Sequence, residues 1–403
     1  MPPRPPAGSL ASAGSPLPSA GSSLASAGEL HHGSHAVLLQ DEDVPDDASV
    51  SSRLDAVIVP TAWPADALRH VMQVGKEIDC TVVALCSRAA TSSDALAIAD
   101  HEGTRALAVD VTPALADRLP SFATDRLLHD SGFGATSDLS LKRNLGLLLA
   151  RGSGWRRVLF LDDDILIDDP AHLHRVAGLV DRYRAVGLRN HGYEDNSVIC
   201  HAYRAVGGRQ DTFIGGGAMI VDALRSESFF PNIYNEDWFY LLGGGVPFRA
   251  ARAGAMSQRD YDPFANPSRA LAEELGDTLA EGLFWLLDSG PTPTAGATPT
   301  LNAVKNEDYW GAALHRRRAF IDLVITLTDD PRIRRSLEAA RGRSADITYG
   351  LCHRFVDLWQ HDLHRWRHYL TRVPICPGPE KFLHQVAMSG YVHYSASYLN
   401  SQR

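Results

Sequence analysis

Three consecutive aspartates are the part of this sequence with the clearest chemical potential. Asp162, Asp163 and Asp164 directly follow the apolar run 158–161. If that run is a strand, successive side chains alternate between its faces, so Asp162 and Asp164 project to one side and Asp163 to the other. Two carboxylates this close repel each other unless a cation shares the site, and Mg²⁺ or Mn²⁺ takes such oxygen ligands. The spacing therefore predicts a divalent metal on Asp162 and Asp164, with a solvated acidic turn as the alternative.

The aspartates need a scaffold, and several short apolar runs predict a sheet. The stretches LDAVIVP (54–60), CTVVALC (80–86) and ALAVDV (106–111) are nearly all apolar, which is typical of buried parallel strands. Helical patterns lie between these runs. The alternation predicts an α/β fold with a doubly wound, mostly parallel sheet flanked by helices. Ligands of such sheets bind at the carboxyl ends of the strands, which is where the aspartates stand.

Composition divides the chain into four parts. Residues 1–52 are rich in Ala, Ser, Gly and Pro and then acidic, which predicts a disordered tail. We expect a catalytic domain over 53–287 and a linker over 288–300, where Pro, Gly and Thr dominate. A helical C-terminal region is expected over 301–403, because apolar side chains recur there at helical spacing.

Charge and cysteine content argue against several classes of protein. Lys and Arg total 39 and Asp and Glu total 48, for a formal charge of -9, which disfavours a general nucleic-acid binder. The five cysteines are an odd number without C-x-x-C spacing, so we expect neither a disulfide framework nor a zinc site. No apolar run reaches the roughly 18 residues of a membrane span, and no secretory signal is recognisable. We therefore expect a cytoplasmic protein.

Five short segments stand out in order along the chain: VIVPT (57–61), 138–149 with Lys142-Arg143-Asn144, LDDDI (161–165), GGGAM (215–219) and FP…NEDW (230–238). Together they resemble the nucleotide-sugar glycosyltransferases of the GT-A fold, most nearly the family-2-like ones. The resemblance covers about residues 54–260 and implies a Rossmann-like GT-A sheet. It also implies metal-dependent transfer of a sugar from a nucleoside-diphosphate sugar to an acceptor hydroxyl. The aspartates would be the family's DxD motif, which holds Mn²⁺ or Mg²⁺.

On the donor side, the resemblance implies roles for seven residues. Asp162 and Asp164 would hold the metal and the donor's ribose and diphosphate, with Asp163 beside them as a further donor contact. Arg143 would approach the donor phosphates, a contact that suits a guanidinium; the alternative is an exposed helix residue. The other three would line the base pocket, unless they are ordinary strand-end residues, and they are Pro60, Thr61 and Ser87.

On the acceptor side, the resemblance implies a general base. In an inverting transfer one carboxylate takes the proton of the attacking hydroxyl, and Asp237 is the candidate, with Glu236 as backup. The alternative is helix-terminus chemistry, because Asn235 can cap a helix whose positive end favours both acidic residues. The two interpretations are compatible with each other.

The glycines and the C-terminal region complete the predicted acceptor side. Gly215, Gly216 and Gly217 would let a sugar approach the backbone closely, unless they form only a turn. Trp238 would line the same side. The helical C-terminal region would cover the acceptor or mediate association into a homo-oligomer, although its apolar stripe is explained more simply by packing within the chain.

The sequence departs from the family in two places. The end of the second strand, CSRAATSSD (86–94), lacks the acidic residue often found there, so the base of the donor is not specified. Retaining relatives often supply a histidine as third metal ligand, but no histidine lies between Asp237 and His315. Asp260 and Asp262 are the nearest candidates. The missing histidine favours inversion.

Three other functions remain open. A phosphohydrolase would use Asp162 as a nucleophile in the same strand-then-DxD arrangement, but Leu166 stands where Thr or Val usually follows. A sugar nucleotidyltransferase would carry a Gly-rich basic loop after its first strand, and VIVPTAWPAD (57–66) has none. A catalytically inactive binding protein is disfavoured because both acidic pairs are kept.

Overall fold

The described part of the chain contains a sheet of ten strands. The computed structural model describes residues 20–31, 33, 35, 36, 38–44, 53–134, 137–194, 196–243, 250–289, 304 and 306–402. In chain order, the strands are Leu39–Asp41 (β1), Ala56–Thr61 (β2), Thr81–Cys86 (β3), Ala106–Asp110 (β4), Arg157–Leu161 (β5), Ile165–Leu166 (β6), Ala185–Asn190 (β7), Ala218–Asp222 (β8), Ala250–Gln258 (β9) and Val392–Tyr394 (β10).

The strands lie in the order β1-β9-β7-β8-β5-β2-β3-β4-β10, and β6 pairs with β9. The pairs β5·β2, β2·β3, β3·β4, β7·β9 and β1·β9 are parallel, whereas β8 runs antiparallel to both β5 and β7. The prediction of a mostly parallel sheet is confirmed. The antiparallel β8 was not expected, and it brings the segment before it next to the end of β5.

The central strand β2 shows why this sequence forms a buried strand. All six of its residues are buried, because β5 and β3 flank it and helices cover both faces of the sheet. Val57 and Val59 pack into one apolar cluster and Ile58 into the other, as the alternation of side chains in a strand requires. β-branched residues suit this two-sided burial.

Helices lie on both sides of the sheet. One face packs against the second, third and seventh helices, and the opposite face packs against the sixth, tenth and thirteenth. In chain order, the helices are Ala20–Leu30 (α1), Arg69–Glu77 (α2), Ser92–Glu102 (α3), Pro113–Ala116 (α4), Ala123–Asp130 (α5), Leu139–Gly152 (α6), Leu173–Ala177 (α7), Val198–Ala205 (α8), Glu236–Gly243 (α9), Ser268–Ser289 (α10), Glu307–Leu327 (α11), Pro331–Asp346 (α12), Tyr349–Leu370 (α13), Pro379–Gln385 (α14) and Ala396–Ser401 (α15).

The N-terminal segment differs from the disordered tail expected over 1–52. Helix α1 buries Ala27 completely, with Leu24 and Leu30 packed against the same apolar cluster as Phe320. Strand β1 pairs in parallel with β9, with Leu39 opposite Ala250. Composition did not predict these elements, because the few apolar residues at helical spacing are outnumbered by the surrounding Ser and Gly. Residues 1–19 and 45–52 of the expected tail lie outside the described residues.

The C-terminal region is helical from α11 onward but also adds a strand. Its long helix α13 buries Phe355, Trp359 and Trp366 against the main core, as the apolar spacing predicts. Strand β10 pairs antiparallel with β4. Of the linker expected over 288–300, the first two residues end α10 and the remainder lies outside the described residues. In the described part of the chain, no helix is both long and apolar enough to cross a membrane.

Candidate active site

Three parallel strands end at the same edge of the sheet and bring their last residues together. Thr61 is the last residue of β2, Ser87 follows β3, and Asp162 follows β5. Because β5, β2 and β3 are neighbours and parallel, their carboxyl ends form one side of a crevice. This is the position in which an open α/β sheet binds its ligands.

The three aspartates after β5 have different surroundings. Asp163 is buried, and its Oδ2 accepts a hydrogen bond from Thr61 Oγ1 at 2.5 Å. Burial raises the pKa of Asp163 above its ordinary value, while the bond from Thr61 opposes that rise. Asp162 and Asp164 remain partly exposed. Burial alternates along the three aspartates, with Asp163 turned toward the interior, although Asp163 and Asp164 form a turn after the strand rather than part of it.

Asp164 lies beside an amide that offers an oxygen. Its Oδ2 accepts from Gln258 Nε2 at 3.1 Å, and Gln258 Oε1 is buried without a hydrogen-bond partner among the described residues. Carboxylate and amide oxygens are the ligands that Mg²⁺ and Mn²⁺ favour. Asp162 and Asp164 offer such oxygens, and Gln258 would offer a third if its amide turned to place Oε1 where Nε2 now donates. Asp262, expected as a candidate third ligand, instead pairs with Arg332.

Lys142 connects the ends of two strands. Its Nζ donates to Thr61 O at 2.8 Å and Ser87 Oγ at 2.6 Å, and it lies 3.0 Å from Asp138 Oδ1. Burial lowers the pKa of Lys142, and Asp138 opposes that change. The sequence analysis gave Lys142 no role of its own. The sequence contained one indication of this role, because Lys142 lies among the leucines of the helix that precedes the aspartates.

Arg143 is buried and links the aspartates to the acidic pair. Its Nη2 donates to both carboxylate oxygens of Asp162, at 2.8 and 3.1 Å, and its Nη1 donates to Glu236 Oε1. Burial alone would lower the pKa of Arg143, but Asp162 and Glu236 raise it above its ordinary value. Arg143 is therefore not the exposed helix residue considered above. The partners found for its guanidinium are protein carboxylates.

The glycine run makes room for this guanidinium. A Cβ atom on Gly216 would lie 2.2 Å from Arg143 Nη1, far inside van der Waals contact. Gly217 O accepts from Asp162 N at 2.8 Å, because β8 begins directly after the glycines and pairs with β5. Gly216 is required here so that the Arg143 side chain can lie against the backbone.

The acidic pair stands at the start of α9. Asp237 Oδ2 accepts from Gly216 N at 2.5 Å, and its Oδ1 accepts from Trp238 N at 2.9 Å. Burial raises the pKa of Glu236 to about 8; Arg143 opposes this rise and Asp237 adds to it. The side chain of Asn235, expected as a helix cap, donates to Asp277 Oδ1 at 2.8 Å.

A pocket of about 130 Å³ lies between these groups and helices α8 and α10. Most of its polar lining is acidic. Of the predicted site residues, the structure brings eight together along its wall: Arg143, Asp162, Gly215, Gly216, Gly217, Glu236, Asp237 and Trp238. Five others lie outside the lining recorded for the described residues, at or beside the strand ends: Pro60, Thr61, Ser87, Asp163 and Asp164.

The far wall of the pocket was missed by the sequence analysis. It contains Cys200, Asp211 and Glu281, together with Gly33 from the N-terminal segment. His31 lies next to this wall, with Nε2 2.7 Å from Asp211 Oδ2. The available signal was the cluster of histidines in HHGSH (31–35), which lies in the segment expected to be disordered.

Comparison with known proteins gives little independent information. No protein-family model matches this sequence, and no curated protein matches it. Among solved structures, one similar chain is the mannosyltransferase PcManGT from Pyrobaculum calidifontis in complex with GDP-Man and Mn²⁺. The identity is 15%, the TM-score is 0.41, and the alignment covers 87% of this chain and 94% of that one. A TM-score this low does not indicate a shared function.

Proposed function

We propose that this protein is a metal-dependent, inverting glycosyltransferase that moves a sugar from a nucleoside-diphosphate sugar to an acceptor hydroxyl. The observation that carries the proposal is the chain of contacts Asp162–Arg143–Glu236, with Asp237 alongside. It links a pair of candidate metal ligands to a candidate base at the ligand-binding edge of the sheet. A solvated acidic turn would not need a buried arginine held between two carboxylates.

The metal is assigned to Asp162 and Asp164, with the amide oxygen of Gln258 as a third ligand. A bound Mn²⁺ or Mg²⁺ would neutralise charge on the departing diphosphate. Arg143 orients Asp162 through both carboxylate oxygens, so it acts as a positioning residue for this site. Its predicted contact with the donor phosphates stays a prediction.

Asp237 is preferred to Glu236 as the general base. Glu236 is committed to Arg143, and burial favours its protonated form. Asp237 is held by two backbone N–H groups and lines the pocket, which fixes its carboxylate where an acceptor hydroxyl could approach. Glu236 remains the backup, because the two carboxyl groups are adjacent.

We assign the binding site for the nucleotide base of the donor to the ends of β2 and β3. Pro60, Thr61 and Ser87 lie there, and Lys142 holds Thr61 and Ser87 together. The opposite side, lined by Gly215 and Trp238, is left for the acceptor. The alternative with Asp162 as a phosphohydrolase nucleophile is disfavoured, because Leu166 stands where Thr or Val usually follows that motif.

The proposal is tested by thermal unfolding with nucleoside diphosphates and nucleotide sugars, with and without Mn²⁺. A ligand at 100-fold over its dissociation constant stabilises the protein by about 2.7 kcal/mol, which shifts the midpoint by several degrees. We expect a metal-dependent shift in the wild type that is lost in Asp164→Asn. Transfer of sugar to an acceptor is the accompanying activity measurement.

The matched control is Asp168→Asn, which removes an exposed aspartate four residues further along the chain. It should keep the metal-dependent shift. The assignment is wrong if no nucleotide stabilises the wild type in a metal-dependent way, or if Asp164→Asn keeps full transfer activity.

A further inference from the structure

One cluster on the far wall of the pocket combines an imidazole, a thiol and a carboxylate. His31 directly follows α1, Cys200 lies in α8, and Glu281 lies in α10. One ligand atom from each of the three residues can be chosen so that all lie within 4.8 Å of one another. The residues come from distant parts of the sequence and meet only in the folded chain.

The measured distances are close to those of a metal site. His31 Nε2 lies 3.8 Å from Cys200 Sγ, and His31 Nδ1 lies 3.6 Å from Glu281 Oε1. Two ligand atoms of a tetrahedral zinc ion are roughly 3.3–3.7 Å apart, given zinc bonds of about 2.0 Å to nitrogen or oxygen and 2.3 Å to sulfur. One imidazole offers only one nitrogen to a given ion, so an ion between Nδ1 and Glu281 requires the Cys200 side chain to rotate from the Nε2 side of the ring toward Nδ1.

The surroundings of the His31 imidazole are those of a histidine that binds a metal. Its side chain is only 3% exposed, and Nδ1 is buried without a hydrogen-bond partner among the described residues. A buried ring nitrogen in this state is unfavourable unless something binds it. The other nitrogen is held by Asp211 Oδ2 at 2.7 Å. Histidine ligands of metals usually have such a carboxylate on the second nitrogen.

The charges around the cluster also favour a bound cation. Arg317 pairs with three buried carboxylates: Glu274 at 2.9 Å, Asp277 at 2.8 Å and Glu281 at 2.9 Å. Asp211 adds a fourth carboxylate on the other side of His31. One guanidinium does not balance four carboxylates, and buried charges need compensation. Either a second proton on the His31 ring or a divalent ion bound to it supplies positive charge at this place, and the metal analysis below distinguishes the two.

We propose that His31, Cys200 and Glu281 bind a zinc ion, at a site separate from Asp162 and Asp164. A ligand set of one nitrogen, one sulfur and one oxygen suits zinc, whereas Mg²⁺ and Mn²⁺ favour oxygen alone. A water molecule supplies the fourth ligand, and Asp211 keeps its contact with His31 Nε2. The ion joins the N-terminal segment to α8 and α10, so the cluster stabilises the far wall of the pocket.

The sequence did not predict this site, because its ligands have no recognisable spacing. Cys200 and His31 are 169 positions apart, and the absence of a C-x-x-C pair argued against zinc. That argument applies to ligands close together in the sequence. It does not apply to a single cysteine whose partners are supplied by the fold.

Metal analysis of purified, untagged protein tests the proposal directly. After reconstitution with Zn²⁺ and gel filtration, we expect about one zinc per chain in the wild type and in Asp164→Asn. Cys200→Ser and His31→Gln should lose it. Cys376→Ser, which changes another buried cysteine, is the matched control and should keep it. Because Asp164→Asn is included, the result does not depend on the proposed glycosyltransferase activity.

Cobalt substitution provides a second readout that needs no stable variant. Co²⁺ bound by a thiolate gives a charge-transfer absorption band, which should form in the wild type and disappear when Zn²⁺ is added in excess. The band should be missing in Cys200→Ser and present in Cys376→Ser. A wild type that binds no zinc and gives no band overturns the proposal, and so does a band that persists in folded Cys200→Ser. If Cys200→Ser does not fold, the wild-type band and its displacement decide.

Discussion

Arg143 is the side chain on which the candidate active site depends most. It is buried, it donates hydrogen bonds to Asp162 and Glu236 at once, and it lies against the backbone of Gly216. Removing one partner of such a buried group leaves uncompensated charge, which is strongly destabilising. The predicted metal ligand and the acidic pair are therefore linked energetically as well as in space.

A substitution at Gly216 tests whether the Arg143 guanidinium lies against the backbone there. Gly216→Ala should displace the Arg143 guanidinium, because the new Cβ would lie 2.2 Å from Nη1. We expect the free energy of unfolding to fall by about 1–3 kcal/mol, as in other overpacked sites, and the metal-dependent nucleotide shift to weaken. Urea unfolding measures the first effect and thermal unfolding the second.

Gly215→Ala is the matched control, since its Cβ would lie 3.6 Å from Asp237 Oδ2, an ordinary contact. Its free energy of unfolding should stay within about 0.5 kcal/mol of the wild type. Equal losses in the two variants would show that the guanidinium does not occupy the space that the structure assigns to it.

Glu236 predicts a dependence of stability on pH. Burial raises the pKa of Glu236 to about 8 in the folded chain, compared with about 4.3 in an unfolded chain. The folded state thus holds a proton that the unfolded state releases between these values. The stabilisation is present below about pH 4.3 and is lost as pH rises through about 8.

The measurement is the free energy of unfolding of metal-free protein from pH 5 to pH 8. The wild type should lose stability with a slope up to about 1.4 kcal/mol per pH unit steeper than Glu236→Gln. The difference between the two proteins isolates Glu236, because burial also raises the pKa of Glu273 and of Glu274 to about 7. Parallel slopes in the two proteins would refute this description of Glu236.

Among the elements, the N-terminal segment is short but contacts three separate parts of the molecule. Helix α1 packs on α11, β1 extends the sheet beside β9, and the residues between them reach the pocket. His35 adds an aromatic contact with Trp238, with ring centroids 4.0 Å apart. A segment with the composition of a tail therefore helps to build the predicted acceptor side.

Deleting residues 1–44 should consequently destabilise the protein. We expect the free energy of unfolding to fall by about 3 kcal/mol or more, because the apolar contacts made by α1 and β1 are lost and the surfaces they cover, such as Phe320 and Ala250, become exposed. The exposed edge of β9 should also promote aggregation. Denaturant unfolding and light scattering measure the two effects.

The control is Glu29→Gln, which keeps the segment and changes only an exposed side chain of α1. It should leave both measurements close to those of the wild type. If the deletion is equally harmless, the packing of α1 and β1 against the rest of the molecule is wrong.

For the molecule as a whole, the sequence predicts the centre well and the periphery poorly. Strands such as β2, β3 and β5 are continuous apolar runs whose burial on both faces leaves a strong local signal. The position of Asp162 at a strand end follows from that signal. In contrast, the apolar spacing of residues 170–183 is typical of one continuous helix, but the segment consists of α7 between two short 3₁₀ turns.

The details of the site that escaped prediction are those determined by contacts between distant segments. The pairing of Arg143 with Glu236 joins residues 93 positions apart, and neither side chain signals the other in the sequence. The same holds for Lys142 with Ser87 and for His31 with Cys200. Motif order indicates which elements approach one another, whereas burial and pairing depend on the packed structure.

Strand β4 gains its outer neighbour, β10, only late in synthesis. Val392–Tyr394 covers the outer edge of β4, and Ser395 Oγ accepts from Ala106 N, 289 residues earlier. At 5–20 residues per second, translation takes about 15–60 s to cover that distance. Throughout this time the β4 edge of a nascent sheet would have no strand to close it, and open edges invite pairing with other chains. Synthesis of this protein therefore includes an interval in which a chaperone, or fast local packing, has to protect the nascent sheet.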